Sequence, residues 1–188
     1  GKCPDCGTWD ALEEYKEPTP DKRNPLAASR ATSDLTHGAE ALRIDQIDAD
    51  DAPRIPTTIG EFDRILGGGI VPGSAVLVGG EPGIGKSTLL LQVAATLAKG
   101  RKGDAHSVLY VTSEESARQT KLRASRLGVE ASNLLVLAET NVERITNQIN
   151  KINPAVVVID SIQMIYKPEL PAAPGSVTQL RDCCMELV

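Results

Sequence analysis

Gly79 to Leu90 reads GGEPGIGKSTLL, and how this stretch is read decides the fold. Glycines and a proline, all poor helix formers, stand directly before a lysine, two hydroxyl residues and an apolar run suited to a helix. Gly80, Gly85, Lys86 and Ser87 satisfy the phosphate-loop pattern G-x-x-x-x-G-K-[ST]. The bland alternative is a strand-to-helix turn with no ligand. The phosphate-loop reading gives each residue type a reason. Gly80-Glu81-Pro82-Gly83-Ile84-Gly85 forms a backbone cradle, because its glycines let N–H groups turn inward on an anion. Lys86 reaches the β- and γ-phosphates of a nucleotide as a compact charge, and Ser87 offers its hydroxyl to Mg²⁺. Thr88 completes the nucleotide-binding segment, and the helix that starts here adds the positive end of its dipole.

A phosphate loop needs a carboxylate to hold its metal, and AVVVIDS supplies one. Val156 to Ile159 form an apolar strand that delivers Asp160 to its carboxyl end, the edge where ligands bind in open α/β sheets. There Asp160 holds Mg²⁺ through water; its structural alternative is a helix N-cap. Hydrolysis further needs a group to orient water. VLYVTSEES puts Glu114 and Glu115 just past a second buried strand, and Glu114, which leaves the strand first, is the candidate base. The competing reading makes either or both an acidic first helical turn that satisfies the macrodipole.

Working outward, strands and helices alternate. Thr57 or Thr58 caps a helix whose Ile59, Phe62, Ile65 and Leu66 share a face. Gly67 to Gly69 end it, Ala75 to Val78 form a short strand, and Lys86 to Ala98 a helix stopping near Gly100. Strands follow at Val108–Thr112, Leu134–Leu137 and Val156–Ile159, and helices at Glu115–Leu127, Val142–Ile152 and Ser176–Val188. The pattern predicts an α/β fold with a mainly parallel sheet covered on both faces. The final helix runs on without a stop signal, so the sheet is expected to be incomplete and the chain a fragment of a longer protein. Leu42, Ile44 and Ile47 form at most a short edge strand or turn.

Composition supports a real core: of 188 residues, 41% are hydrophobic and only 3% aromatic, so the interior is aliphatic. A net charge of −5 argues against a general nucleic-acid surface. No apolar run is long enough to span a bilayer and no signal peptide is present, so the expected compartment is the cytoplasm. Residues 16–38 carry three prolines among small polar residues, which marks a linker, expected to be largely disordered. The expected organisation is a partial zinc finger at residues 1–15, a linker at 16–52 and the α/β core at 53–188. Cys3 and Cys6 have the spacing of half a zinc site and cannot close one alone. Cys183 and Cys184 make a poor second pair, because neighbouring helical residues point about 100° apart.

TTIGEFDRILGGGIVPGSAVLVGGEPGIGKSTLLLQVA resembles the core of RecA-type ATPases. GKCPDCGTWD, GGEPGIGKSTLLLQ, YVTSEES, VVVIDSIQMIY and PAAPGSVTQLRDC, in that order, resemble the bacterial RadA (Sms) family of DNA-repair proteins. The resemblance implies a RecA-like core whose ATP hydrolysis drives branch migration of recombination intermediates, with single-stranded and branched DNA as substrates. It implies the RecA recombinase as partner, a homo-oligomeric ring, expected as a hexamer, and Zn²⁺ in a four-cysteine finger. It also implies a later Lys-Asn-Arg-Phe-Gly motif and a Lon-like rear domain, neither of which occurs in this sequence. Ser113 stands where the family usually has glycine, Glu81 where aspartate is common and Met164 where threonine is common.

In RecA-like rings the loop after the aspartate strand faces the central channel. Here that loop is YKPELPAAPGS, Tyr166 to Ser176, and Lys167 is the candidate DNA contact; the alternative is an ordered surface connection. Two other functions use the same phosphate loop: a nucleotide-gated assembly module without motor activity, and a small-substrate kinase or GTPase. Against the GTPase, no Asn-Lys-x-Asp base-reading motif occurs.

Overall fold

The computed structural model describes residues 43, 53–100 and 104–188. The expectations for Cys3 and Cys6, for the linker and for Leu42, Ile44 and Ile47 lie outside these residues.

Three strands form the sheet: β1 (Val108–Thr112), β2 (Leu134–Ala138) and β3 (Val156–Asp160). They are parallel in the order β2–β1–β3. Leu134 and Val156 both align with Val108, so the three carboxyl ends finish level. All five residues of the central β1 are buried, as expected for a strand flanked on both sides and covered on both faces. β2 lies at the edge and leaves Leu135 and Val136 partly open.

Five α-helices accompany these strands: α1 (Gly60–Ile65), α2 (Lys86–Lys99), α3 (Ala117–Arg126), α4 (Val142–Ile152) and α5 (Val177–Leu187). Alternation along the strands divides the core in two. Val108, Tyr110 and Val158 join Leu91, Val93, Ala94, Leu97 and Ala98 of α2 in one cluster. Leu109 and Val111 point the other way and join Val142 and Ile145 of α4, Ile165, and Cys183 of α5. The predicted covering of both sheet faces is therefore observed. Cys183 is buried and Cys184 exposed, and burial raises the Cys183 thiol pKa.

Local signals explain the helix boundaries. Ser116 caps α3 in a reciprocal box with Gln119, so this helix begins two residues later than the predicted Glu115. Asn141 caps α4 through the N–H groups of Glu143 and Arg144. Ser176 caps α5.

Three further expectations need correction. Ala75 to Val78 forms no strand, and Leu77 is 88% exposed. An apolar run becomes a strand only when a neighbour pairs its backbone, and no described residue does so here. At α1, neither Thr57 nor Thr58 is the cap; the N-cap is Ile59, with no side-chain bond. The Asp63 carboxylate instead accepts from Thr57 N, Thr57 Oγ1 and Thr58 N at 2.8, 2.6 and 3.0 Å. Ile59 and Phe62 pack on the core, but Ile65 is 79% exposed, because so short a helix rests on the core by its first turn only. The stretch after it closes through an isolated antiparallel bridge, Ile55 to Ile70. Gly69 lies so near that a Cβ there would stand 2.5 Å from the Ile55 carbonyl oxygen.

Candidate functional site

The phosphate loop lies at the start of α2. Gly83 and Gly85 have φ of 81° and 104°, in the left-handed region that side chains disfavour. No neighbouring atom lies within 4 Å of where a Cβ at either glycine would be, so the cradle is open as well as glycine-dependent. Lys86 folds back over it and donates to the carbonyl oxygens of Gly80 and Glu81 at 2.8 and 2.9 Å. These are neutral acceptors, and the ammonium has no carboxylate partner among the described ion pairs. Glu81, Pro82 and Ile84 are exposed along the loop, and Ser87 and Thr88 stand in the first turn of α2.

Ser87 and Asp160 are 73 residues apart in sequence and meet here: Ser87 Oγ donates to Asp160 Oδ1 at 3.1 Å. The other carboxylate oxygen, Oδ2, accepts from Tyr110 Oη at 2.6 Å. Burial, followed by this hydrogen bond to Asp160, pushes the Tyr110 phenol well above its ordinary range. The Ser87–Asp160 pair fits Mg²⁺, a hard cation that takes oxygen ligands about 2.0–2.1 Å away in octahedral geometry.

The two glutamates after β1 have different partners. Glu114 Oε1 accepts from Ser161 Oγ at 2.7 Å, on the residue next to Asp160. Glu115 pairs with Arg123 of α3, and its backbone is tied to the Thr112 hydroxyl. Ser113 locks the two loops together. Its Oγ donates to the Ser161 carbonyl oxygen and accepts from Ser161 N, both at 2.8 Å, while Ser113 N donates to Asp160 O at 2.9 Å. The Asp160–Ser161 peptide is cis.

The 166–176 loop is built separately. Lys167 Nζ donates to Glu186 of α5 at 2.6 Å, and this bond raises the Lys167 pKa. The Glu143 carboxyl is likewise raised, first by a hydrogen bond to Glu169 and then by that residue's charge. Lys167 thus sits among acidic side chains and apart from the phosphate-loop contacts. Gln179, 1% exposed, organises this loop. Its Oε1 accepts from Lys167 N at 2.9 Å, and its Nε2 donates to the carbonyls of Lys167 and Ala172 at 3.1 and 3.0 Å.

Sequence reasoning missed Tyr110, Ser161 and Gln179. Tyr110 reads as one more apolar strand residue, and a hydroxyl aimed at a carboxylate on another strand leaves no local signal. Gln179 stands at the third position of a capped helix, where glutamine has an ordinary capping role.

A glycine cradle at a helix start, a paired Ser87–Asp160 and a parallel sheet ending level beside them define a P-loop-type α/β domain. The chain belongs to the family described as the AAA domain, whose model matches residues 39–187. It is 47% identical over 193 residues to the DNA repair protein RadA of Bacillus subtilis, an alignment covering 100% of this chain and 40% of that protein. It is 48% identical to RadA of Halalkalibacterium halodurans, over 97% of this chain and 38% of that protein. RadA of Haemophilus influenzae is 40% identical, over 97% of this chain and 38% of the relative. The resemblance to RadA read from the motifs is borne out by these matches. The chain spans about two fifths of the length of these relatives. No helix among the described residues is long and apolar enough to cross a membrane.

Proposed function

We propose that this chain is the ATPase core of a DNA-repair protein that couples ATP hydrolysis to the remodelling of branched DNA. The observation that carries this reading is the meeting of Ser87 with Asp160 beside Glu114, at the carboxyl edge of the sheet. Lys86 leaves the Gly80 and Glu81 carbonyls for the β- and γ-phosphates, exchanging neutral acceptors for charged ones. Gly80 to Thr88 wrap the phosphate chain with backbone N–H groups and the start of α2. Ser87 and Asp160 hold Mg²⁺, which when bound neutralises charge on the transferring phosphoryl group. Glu114 orients the attacking water and accepts its proton, with its carboxylate steered by the Ser161 hydroxyl. Glu115 is occupied by Arg123, which supports Glu114 as the base.

Outside the nucleotide site, this reading takes single-stranded and branched DNA as substrates, in keeping with the DNA repair named for the relatives, with RecA as partner and a hexameric ring. Cys3 and Cys6 supply half of a zinc site in this reading. Lys167 touches the DNA backbone once it is released from Glu186.

The test is ATP turnover by the full-length protein with and without branched DNA. Stimulation by DNA that is lost in Lys86→Ala supports the motor reading. Tight nucleotide binding that promotes assembly, with no DNA-stimulated turnover, favours the nucleotide-gated assembly module.

A further inference from the structure

Tyr110 is buried in the core at the middle of the central strand, yet its hydroxyl reaches the metal-side carboxylate. The register explains how. Tyr110 aligns with Val158, and Asp160 with Thr112. Side chains alternate along a strand, so Asp160 lies two residues beyond Tyr110's partner and on the same sheet face. That face carries α2, whose first turn holds Ser87. Tyr110 is 1% exposed and shares its core cluster with Leu91, Ala124 and Val158. Packing therefore fixes the ring before any ligand arrives.

A carboxylate on a short side chain turns readily about its last bond, where the torsional wells are broad. Asp160 has lost that freedom. Its Oδ2 is held by Tyr110 at 2.6 Å, which leaves Oδ1 turned to Ser87 Oγ at 3.1 Å. We propose that Tyr110 is a positioning residue for nucleotide hydrolysis: it orients the Asp160 carboxylate so that the oxygen facing Ser87 is presented to Mg²⁺. The role rests on the nucleotide-site assignment above and deepens it. Groups that orient metal ligands from behind typically change metal affinity about 10- to 100-fold when removed. A buried phenol that merely needed an acceptor would leave metal affinity alone when its hydroxyl is deleted.

The test is Tyr110→Phe in the full-length protein, which keeps the ring in the core and removes only the hydroxyl. Binding of a fluorescent ATP analogue is titrated with Mg²⁺, alongside binding without Mg²⁺. The expected result is a rise of about tenfold in the Mg²⁺ concentration for half-maximal tightening, with metal-free affinity unchanged. In an Asp160→Asn background the same substitution should shift nothing further, because Tyr110 acts through Asp160. An unchanged Mg²⁺ midpoint in Tyr110→Phe overturns the proposal. So does a Tyr110→Phe protein that loses metal-free nucleotide binding, because Tyr110 would then serve the core rather than the carboxylate. Wild-type protein that binds the analogue no tighter with Mg²⁺ than without it instead removes the metal assignment of Ser87 and Asp160, and Tyr110's role with it.

Discussion

The phosphate loop and the 166–176 loop each present a lysine, but the two lysines are held in opposite ways. Lys86 rests on backbone carbonyls, which are neutral and give way to a phosphate. Lys167 is paired with a carboxylate of its own chain, Glu186, which competes with a phosphate directly. One region is prepared for an anion as it stands. The other must first give up an internal ion pair, with side chains only about a third and a quarter exposed. The presence of a lysine says little about anion binding; what its ammonium touches without the ligand says more.

The sharpest break in this comparison comes from Lys86→Ala. ATP turnover should fall by at least about 100-fold, the scale for removing one charge-stabilising donor from a phosphoryl-transfer site. A radiolabelled phosphate-release assay measures it, and near-wild-type turnover would place the phosphate contact elsewhere.

Gln179→Ala tests how firmly the second region is built. It leaves the Lys167 amide and the Ala172 carbonyl without their partner, and the Lys167 carbonyl with the Leu170 amide alone, so stability should drop by about 3 kcal/mol. Urea unfolding reads that loss. Because the loop and the phosphate loop are held by separate contacts, ATP affinity should stay near wild type.

Exchanging the charges at Lys167 sharpens the comparison further. Glu186→Gln frees the ammonium and should raise DNA affinity at low salt, while Lys167→Ala should lower it and reduce the slope of log affinity against log salt by about one. Fluorescence anisotropy with a branched oligonucleotide across a salt series measures both. Identical slopes in the two variants and wild type would move the DNA contact away from this loop.

The smallest effect is expected at Glu139, which lies in neither region. Its carboxyl is held below its ordinary value of 4.5, first by the Asn141 N–H, with the Thr140 N–H and Arg144 adding to it. A lowered folded-state pKa contributes stability above the unfolded pKa and loses it as pH falls. Glu139→Gln should therefore cost about 1 kcal/mol near neutrality. The difference from wild type should shrink as the pH drops below 4.5. Thermal unfolding at several pH values checks the sign.

Much of this arrangement was legible in the sequence where a residue's role depends on its neighbours along the chain. The glycine loop, the strands at Val108 and Val156 and the helix from Val142 all follow from local periodicity and turn chemistry, and they occur where expected. Asp160 was legible because a strand delivers its last residue to a predictable edge. Legibility ended where a role depends on another strand. Ala75 to Val78 has strand composition but no described partner. Tyr110 and Ser161 contribute through hydroxyls whose acceptors lie about fifty residues away in sequence. The sequence favoured Glu114 over Glu115 only because it leaves the strand first; their different partners, Ser161 and Arg123, became visible only in three dimensions.

That choice is also the central claim, and one measurement tests it directly: single-turnover ATP hydrolysis and ATP affinity compared between Glu114→Gln and Glu115→Gln. With Glu114 as the base, Glu114→Gln keeps wild-type affinity and slows hydrolysis by about 100-fold or more, while Glu115→Gln hydrolyses ATP at close to the wild-type rate. Slow hydrolysis in Glu115→Gln together with normal hydrolysis in Glu114→Gln would contradict the account.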